Sequence, residues 1–94
     1  MRDMTAFQRD LLFIIYHQQA PHGLEIKRLL EQYYQNKVNH GRLYPNLDEL
    51  TDRGLVSKGK YDDRTNKYEL TKDGKELVQT RIEWQQGQMA VPDN

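Results

Sequence analysis

The chain has 94 residues, enough for one small domain, with 36% hydrophobic and 30% charged residues and a formal net charge of zero. Fourteen Lys and Arg balance fourteen Asp and Glu, which excludes a surface that is basic overall but leaves room for a local basic patch. Cysteine is absent, so disulfides, thiolate metal sites and cysteine nucleophiles are excluded together.

No stretch approaches 18 apolar residues and no charged-then-apolar leader opens the sequence, so a cytoplasmic protein is expected. The first element runs from Thr5 to about His17. Thr5 and Gln8 have capping-box spacing, and Phe7, Leu11, Ile14 and Ile15, widened by Leu12, form a helical stripe. Ala20 precedes Pro21 and is pushed out of the helical region, which stops the helix. A second helix is predicted from Gly23 to about Tyr34, with Ile26, Leu29, Leu30 and Tyr33 on one face. A polar connection follows, ending at Asn39, a natural N-cap.

The third helix carries Leu43, Leu47 and Leu50 at i, i+4, i+7, and Gly54 closes it as a left-handed C′ residue. Pro45 lies just beyond its first turn, where a proline removes one hydrogen bond at most and bends the entry. The period then changes from 3.6 to 2. "LVSKGKY" and "KYEL" read as short strands joined by the polar turn "DDRTN", a β-hairpin. Thr71 caps a last helix from about Lys72 to Gln86, with Asp73 and Glu76 toward its positive end. The closing "QQGQMAVPDN" reads as loose.

Three helices, a hairpin and a final helix define an α+β, mainly helical fold: a winged helix-turn-helix with a C-terminal dimerisation helix. The expected division is residues 1–71 for the winged helix, 72–87 for the dimerisation helix and 88–94 for a flexible tail. The third helix takes the recognition position. Its front presents His40, Gly41, Arg42, Tyr44, Pro45 and Asn46 to a major groove, with arginine suited to guanine, asparagine to adenine and tyrosine to phosphate. His22 and Gly23 open the second helix and are expected near phosphate. The wing contributes Lys58, Lys60, Arg64, Thr65, Asn66 and Lys67, with Arg64 at the tip for a minor groove. Asp62 and Asp63 are read as turn residues, not a catalytic pair. His17, His22 and His40 lack metal-ligand spacing, so no metal, cofactor or enzyme activity is expected.

"GRLYPNLDELTDRGLV" (residues 41–56) resembles the signature of the PadR family of transcriptional regulators, matching it at Gly41, Leu43, Tyr44, Pro45, Leu47, Leu50, Gly54, Leu55 and Val56. "HGLEI" (22–26) and "RTNKYELTKDGKE" (64–76) are similar to two further family segments, so the likeness spans about residues 5 to 84. It implies a homodimeric DNA-binding repressor or activator of the short subgroup, whose single C-terminal helix packs on the partner's first helix. Arg42 departs from the Thr or Ser often found at its position, and Asp62 and Asp63 dilute the basic wing.

The apolar residues of the last helix cover a broad side with little chain left to hide it. Leu77, Val78, Arg81, Ile82 and Trp84, with Met4, Phe7 and Leu11 of the first helix, are therefore expected at a dimer interface, Trp84 as the anchor. The function expected is sequence-specific DNA binding by a homodimer on a pseudo-palindromic operator. A small-molecule effector at the interface would add to this function without replacing it. The alternative is a winged-helix module that binds protein: residues 37–67 hold seven Lys and Arg against five Asp and Glu, a slight surplus.

Overall fold

The computed structural model of the chain describes residues 3–90. The elements follow in the order α1 (Ala6–Gln18), α2 (Gly23–Tyr34), α3 (His40–Asp52), β1 (Val56–Lys60), β2 (Asn66–Leu70) and α4 (Lys72–Met89). This is the winged helix-turn-helix expected from the sequence.

Side-chain caps set the helix starts. Thr5 accepts from the Gln8 N–H and Gln8 returns the bond to the Thr5 N–H, a complete capping box. Asn39 accepts from the Arg42 N–H at 2.8 Å, and Thr71 from the Gly74 N–H at 3.1 Å. His22 caps α2 with its imidazole, Nδ1 accepting from the Glu25 N–H at 3.3 Å. The α2–α3 turn begins at Gln35, left-handed at φ 55°. It is closed by Glu31, whose carboxylate accepts from the Val38 N–H at 2.9 Å and from Lys27 at 3.1 Å. The Val38 bond, then the lysine, hold this carboxyl below its ordinary value.

Pro45 sits within a continuous α3. The hydrogen bond it forgoes would have gone to the carbonyl of Gly41, an exposed residue, so the loss falls where solvent can compensate it. Gly54 follows α3 at φ 76°, a conformation costly for any residue with a Cβ. The hairpin is antiparallel, with Val56 opposite Leu70, Lys58 opposite Tyr68 and Lys60 opposite Asn66. Its core-facing side buries Val56, Tyr68 and Leu70. Burial also pushes the Tyr68 hydroxyl pKa up.

The core joins Phe7, Leu11, Leu12 and Ile15 of α1, Ile26 and Leu30 of α2, the three α3 leucines, the hairpin residues and Val78 of α4. A fully buried leucine or isoleucine contributes about 1.5–3 kcal/mol through apolar burial alone. Phe7, Leu11 and Val78, expected at a dimer surface, are thus committed to the chain's own core. Helical periodicity marks an apolar face, but it does not say which neighbour covers it. Helix α4 also runs three residues beyond the expected Gln86, because Gln88 and Met89 are good helix formers that carry it past Gly87. The expected tail therefore begins inside a helix, and its last part, residues 91–94, lies outside the described residues.

Candidate nucleic-acid interface

The N-terminal ends of α2 and α3 lie side by side, and the missing side chain of Gly23 makes this possible. A Cβ at that position would sit 2.6 Å from the Tyr44 hydroxyl and 2.8 Å from its ring. Gly23 itself is buried beneath this tyrosine, so it shapes the surface and is not part of it. Tyr44 is half-buried and packs its other flank on the His40 ring, centroids 5.5 Å apart. On the α2 side, His22 meets Tyr61 at the start of the wing's turn, centroids 5.4 Å apart, and its backbone bridges to Lys67. Two helix N-termini, each with partial positive charge and unpaired N–H groups, and the turn end of the hairpin therefore form one continuous face.

The wing extends this face. Asp62 builds its tip by accepting from the Arg64 N–H at 2.9 Å, and this bond chiefly holds the carboxyl below its ordinary value. Thr65 closes the turn through its carbonyl, which accepts from the Tyr61 N–H at 2.8 Å. Arg64 is exposed, and among the described residues no carboxylate pairs with its guanidinium. Lys60 and Asn66 are exposed as a cross-strand pair. The Lys67 stem lies along Gly59 on the opposite side of the hairpin, its ammonium 3.9 Å from Glu69. Lys58 reaches back to α3 and pairs with Asp48 at 3.2 Å, tying the wing to the recognition helix. A surface pair of this kind adds little stability, but it offsets the positive charge at that point.

Two residues expected to read bases are placed differently. Asn46 is half-buried: its Oδ1 accepts from Gln8 on α1 at 3.0 Å and its Nδ2 donates to the Arg42 carbonyl at 2.7 Å. One lone pair and one hydrogen of its amide are thereby engaged within the protein, which turns the side chain toward α1. Arg42 is exposed, yet its guanidinium lies 4.0 Å over the Phe7 ring, a cation–π contact on the α1 side of the helix. Phe7 in turn stacks on Tyr34, whose hydroxyl donates to Asp10 at 2.6 Å. The remaining front residues, His40, Gly41 and Pro45, are exposed, and a Cβ on Gly41 would meet only its own cap, Asn39 Oδ1, at 3.4 Å. Tyr61 and Leu24 are exposed at the same face and are additions to the sequence reading. Their signal, an apolar residue just before a turn or just after a helix-opening glycine, is too common to single them out.

On α4, Trp84 is 53% exposed with the Arg81 guanidinium 4.5 Å over its ring, and Met89 is 80% exposed. Met4, Leu77 and Ile82 are half-buried at the edge of the core. Of the expected interface set, Met4, Leu77, Arg81, Ile82 and Trp84 therefore remain available to a partner.

A winged helix-turn-helix whose helix N-termini and wing share one face is the architecture of a DNA-binding protein. The chain belongs to the PadR-like family of transcriptional regulators, which it matches over residues 11–80. It is similar to RosR of H. salinarum, with 48% identity over 98% of this chain and 83% of that one and a TM-score of 0.92. A cysteine-to-serine mutant of E. coli MarR, solved with operator DNA, is 28% identical over 83% of this chain at a TM-score of 0.71; this chain covers 53% of its length. BpsR of Bordetella bronchiseptica, 19% identical at a TM-score of 0.75, shares the fold. No curated protein sequence matches. The chain is accordingly a DNA-binding transcriptional regulator. Among the described residues no helix is long and apolar enough to cross a membrane.

Proposed function

We propose that the protein is a cytoplasmic repressor that binds a pseudo-palindromic operator as a homodimer and blocks transcription by occupying a promoter. The observation that carries this reading is the single face built from the α2 and α3 N-termini and the wing. The front of α3, with His40, Gly41, Tyr44 and Pro45, enters a major groove. Arg42 reaches its edge from the Phe7 side. Arg64, with Thr65 and Asn66, enters the flanking minor groove, while Lys60, Lys67 and the His22 ring meet phosphates. Lys58 contributes through its tie to Asp48. Two such faces related by a twofold axis place half-sites about 34 Å apart, or a multiple of it. Pairing through the exposed Trp84 side of α4, with Met4, Leu77, Arg81 and Ile82, supports the dimer.

Selection of bound duplexes from random DNA tests the reading. Enrichment of a two-half-site sequence is expected, with affinity reduced about tenfold or more in Arg64→Ala, near the 1–3 kcal/mol of a specific contact. Failure of the wild-type protein to bind any duplex at about 50 mM salt overturns the DNA reading and favours a protein-binding module.

A second reading adds a small-molecule effector. A groove of about 520 Å³ runs between α1, α2 and α4, with Phe13, Ile14, Leu29 and Tyr33 on its walls and Arg9 and Arg81 among its polar groups. Quenching of Trp84 fluorescence by a ligand that also weakens operator binding is the expected signature.

A further inference from the structure

We infer that Gln8, a residue of α1 that is far in sequence from the recognition helix and only 3% exposed, positions that helix for reading DNA. The inference rests on α3 being the DNA-reading element. Among the described residues Gln8 is the buried polar side chain of the core, and each of its amide atoms has a protein partner. Oε1 accepts from the Thr5 N–H in the α1 capping box. Nε2 spends one hydrogen on Asn46 Oδ1 at 3.0 Å and the other on the Glu49 carboxylate. Asn46 passes the connection on to the Arg42 carbonyl at 2.7 Å. Phe7, the preceding residue, holds the Arg42 guanidinium over its ring. The first turn of α1 thus grips α3 at Arg42, Asn46 and Glu49, three points on one side of the helix at i, i+4 and i+7.

Beyond these bonds α3 is held by the leucine stripe, which keeps one face of the helix inward, by Tyr44 lying on Gly23, and by the Lys58–Asp48 pair. Apolar packing is non-directional, whereas a hydrogen bond weakens steeply with angle. On the α1 side the amide adds directional control to what the leucine face sets only broadly: the fine roll of α3 about its own axis. A roll error moves His40, Tyr44 and Pro45 relative to base edges, while the cationic wing still finds phosphate. Gln8 is therefore a specificity-determining positioning residue that does not touch DNA.

Gln8→Glu separates this role from helix capping. Glutamate serves the capping box as well as glutamine does. It has no hydrogen to give Asn46, however, and it sets a second carboxylate against Glu49. Affinity is measured for a duplex selected by the wild-type protein and for a random duplex of equal length, beside the thermal midpoint. The expected result is a loss of about tenfold on the selected duplex with less than about threefold on the random one, because the latter is held by charge alone. Glu49→Gln supplies an amide from the other side. In that background the Gln8→Glu loss is expected to shrink to under about threefold. Gln8→Met, which removes the amide without adding charge, is expected to lose selectivity in the same way and serves if Gln8→Glu folds poorly. Equal losses on both duplexes, unchanged selectivity in Gln8→Met, or losses that simply multiply in the double variant overturn the inference. A wild-type protein that binds no duplex refutes the DNA reading instead, before any variant is compared.

Discussion

Replacing Gly74 by alanine sets two effects of opposite sign against each other. Gly74 is the third residue of α4, and in an exposed helix alanine would stabilise it by about 1 kcal/mol. Here a Cβ would lie 2.1 Å from the Leu55 carbonyl oxygen and 3.1 Å from its carbon, both backbone atoms. A gap of 2.1 Å has to open to about 3.4 Å for ordinary contact, and neither side is a flexible side-chain end. Overpacking a tight site costs about 1–3 kcal/mol. Lifting α4 also strains the bonds that seat it: the Thr71 N–H to Leu55 carbonyl bond at 3.1 Å and the Thr71 hydroxyl to Gly54 carbonyl bond at 2.7 Å. Each is worth about 1 kcal/mol. The steric and hydrogen-bond losses outweigh the propensity gain, leaving a net loss of about 2–3 kcal/mol. For a domain of this length that corresponds to a fall of roughly 10–20 °C in thermal midpoint. The assay is a circular-dichroism melt at fixed protein concentration. A midpoint equal to or above that of the wild type would show that α4 is free to slide over Leu55 and would refute the reasoning.

Gly23→Ala pushes against a side chain, not backbone, so the Tyr44 ring swings away at little cost in stability; about tenfold weaker operator binding is expected in a gel shift, with the melt nearly unchanged. Glu31 is held below its ordinary value of 4.5, so its bonds stabilise the fold above that pH and the contribution is lost as pH falls through the lower folded-state value. The gap in thermal midpoint between wild type and Glu31→Gln is therefore expected to narrow as pH falls from neutral to below 4.5; a gap that stays constant contradicts it. Trp84→Ala is expected to weaken self-association by about 30-fold or more, a loss of roughly 2 kcal/mol, read by sedimentation equilibrium.

The helix starts are legible because their caps are local chemistry: Thr5, Asn39 and Thr71 each precede an N–H that their own side chain satisfies. The period change after Gly54 is equally plain, since the burial of Val56, Tyr68 and Leu70 on one side of the hairpin follows directly from the pleat. What the sequence withholds concerns contacts between elements distant along the chain. Asn46 reads as a base-contacting amide until Gln8, 38 positions earlier, is seen to claim it. Gln8 reads only as half of a capping box, because its partners on α3 have no periodic relation to it. Phe7, Leu11 and Val78 belong to apolar faces broad enough to serve a partner, and only the closing of α1 over the hairpin and α4 decides that they do not.

The imidazole that starts α2 has a consequence for hydrogen-bond polarity. With Nδ1 accepting from the Glu25 amide, an uncharged His22 ring must carry its one proton on Nε2. The tautomer is thereby selected by the backbone before any ligand arrives, and the outer nitrogen can give a hydrogen but not take one. Asparagine at position 22 would restore the cap while surrendering that outward donor.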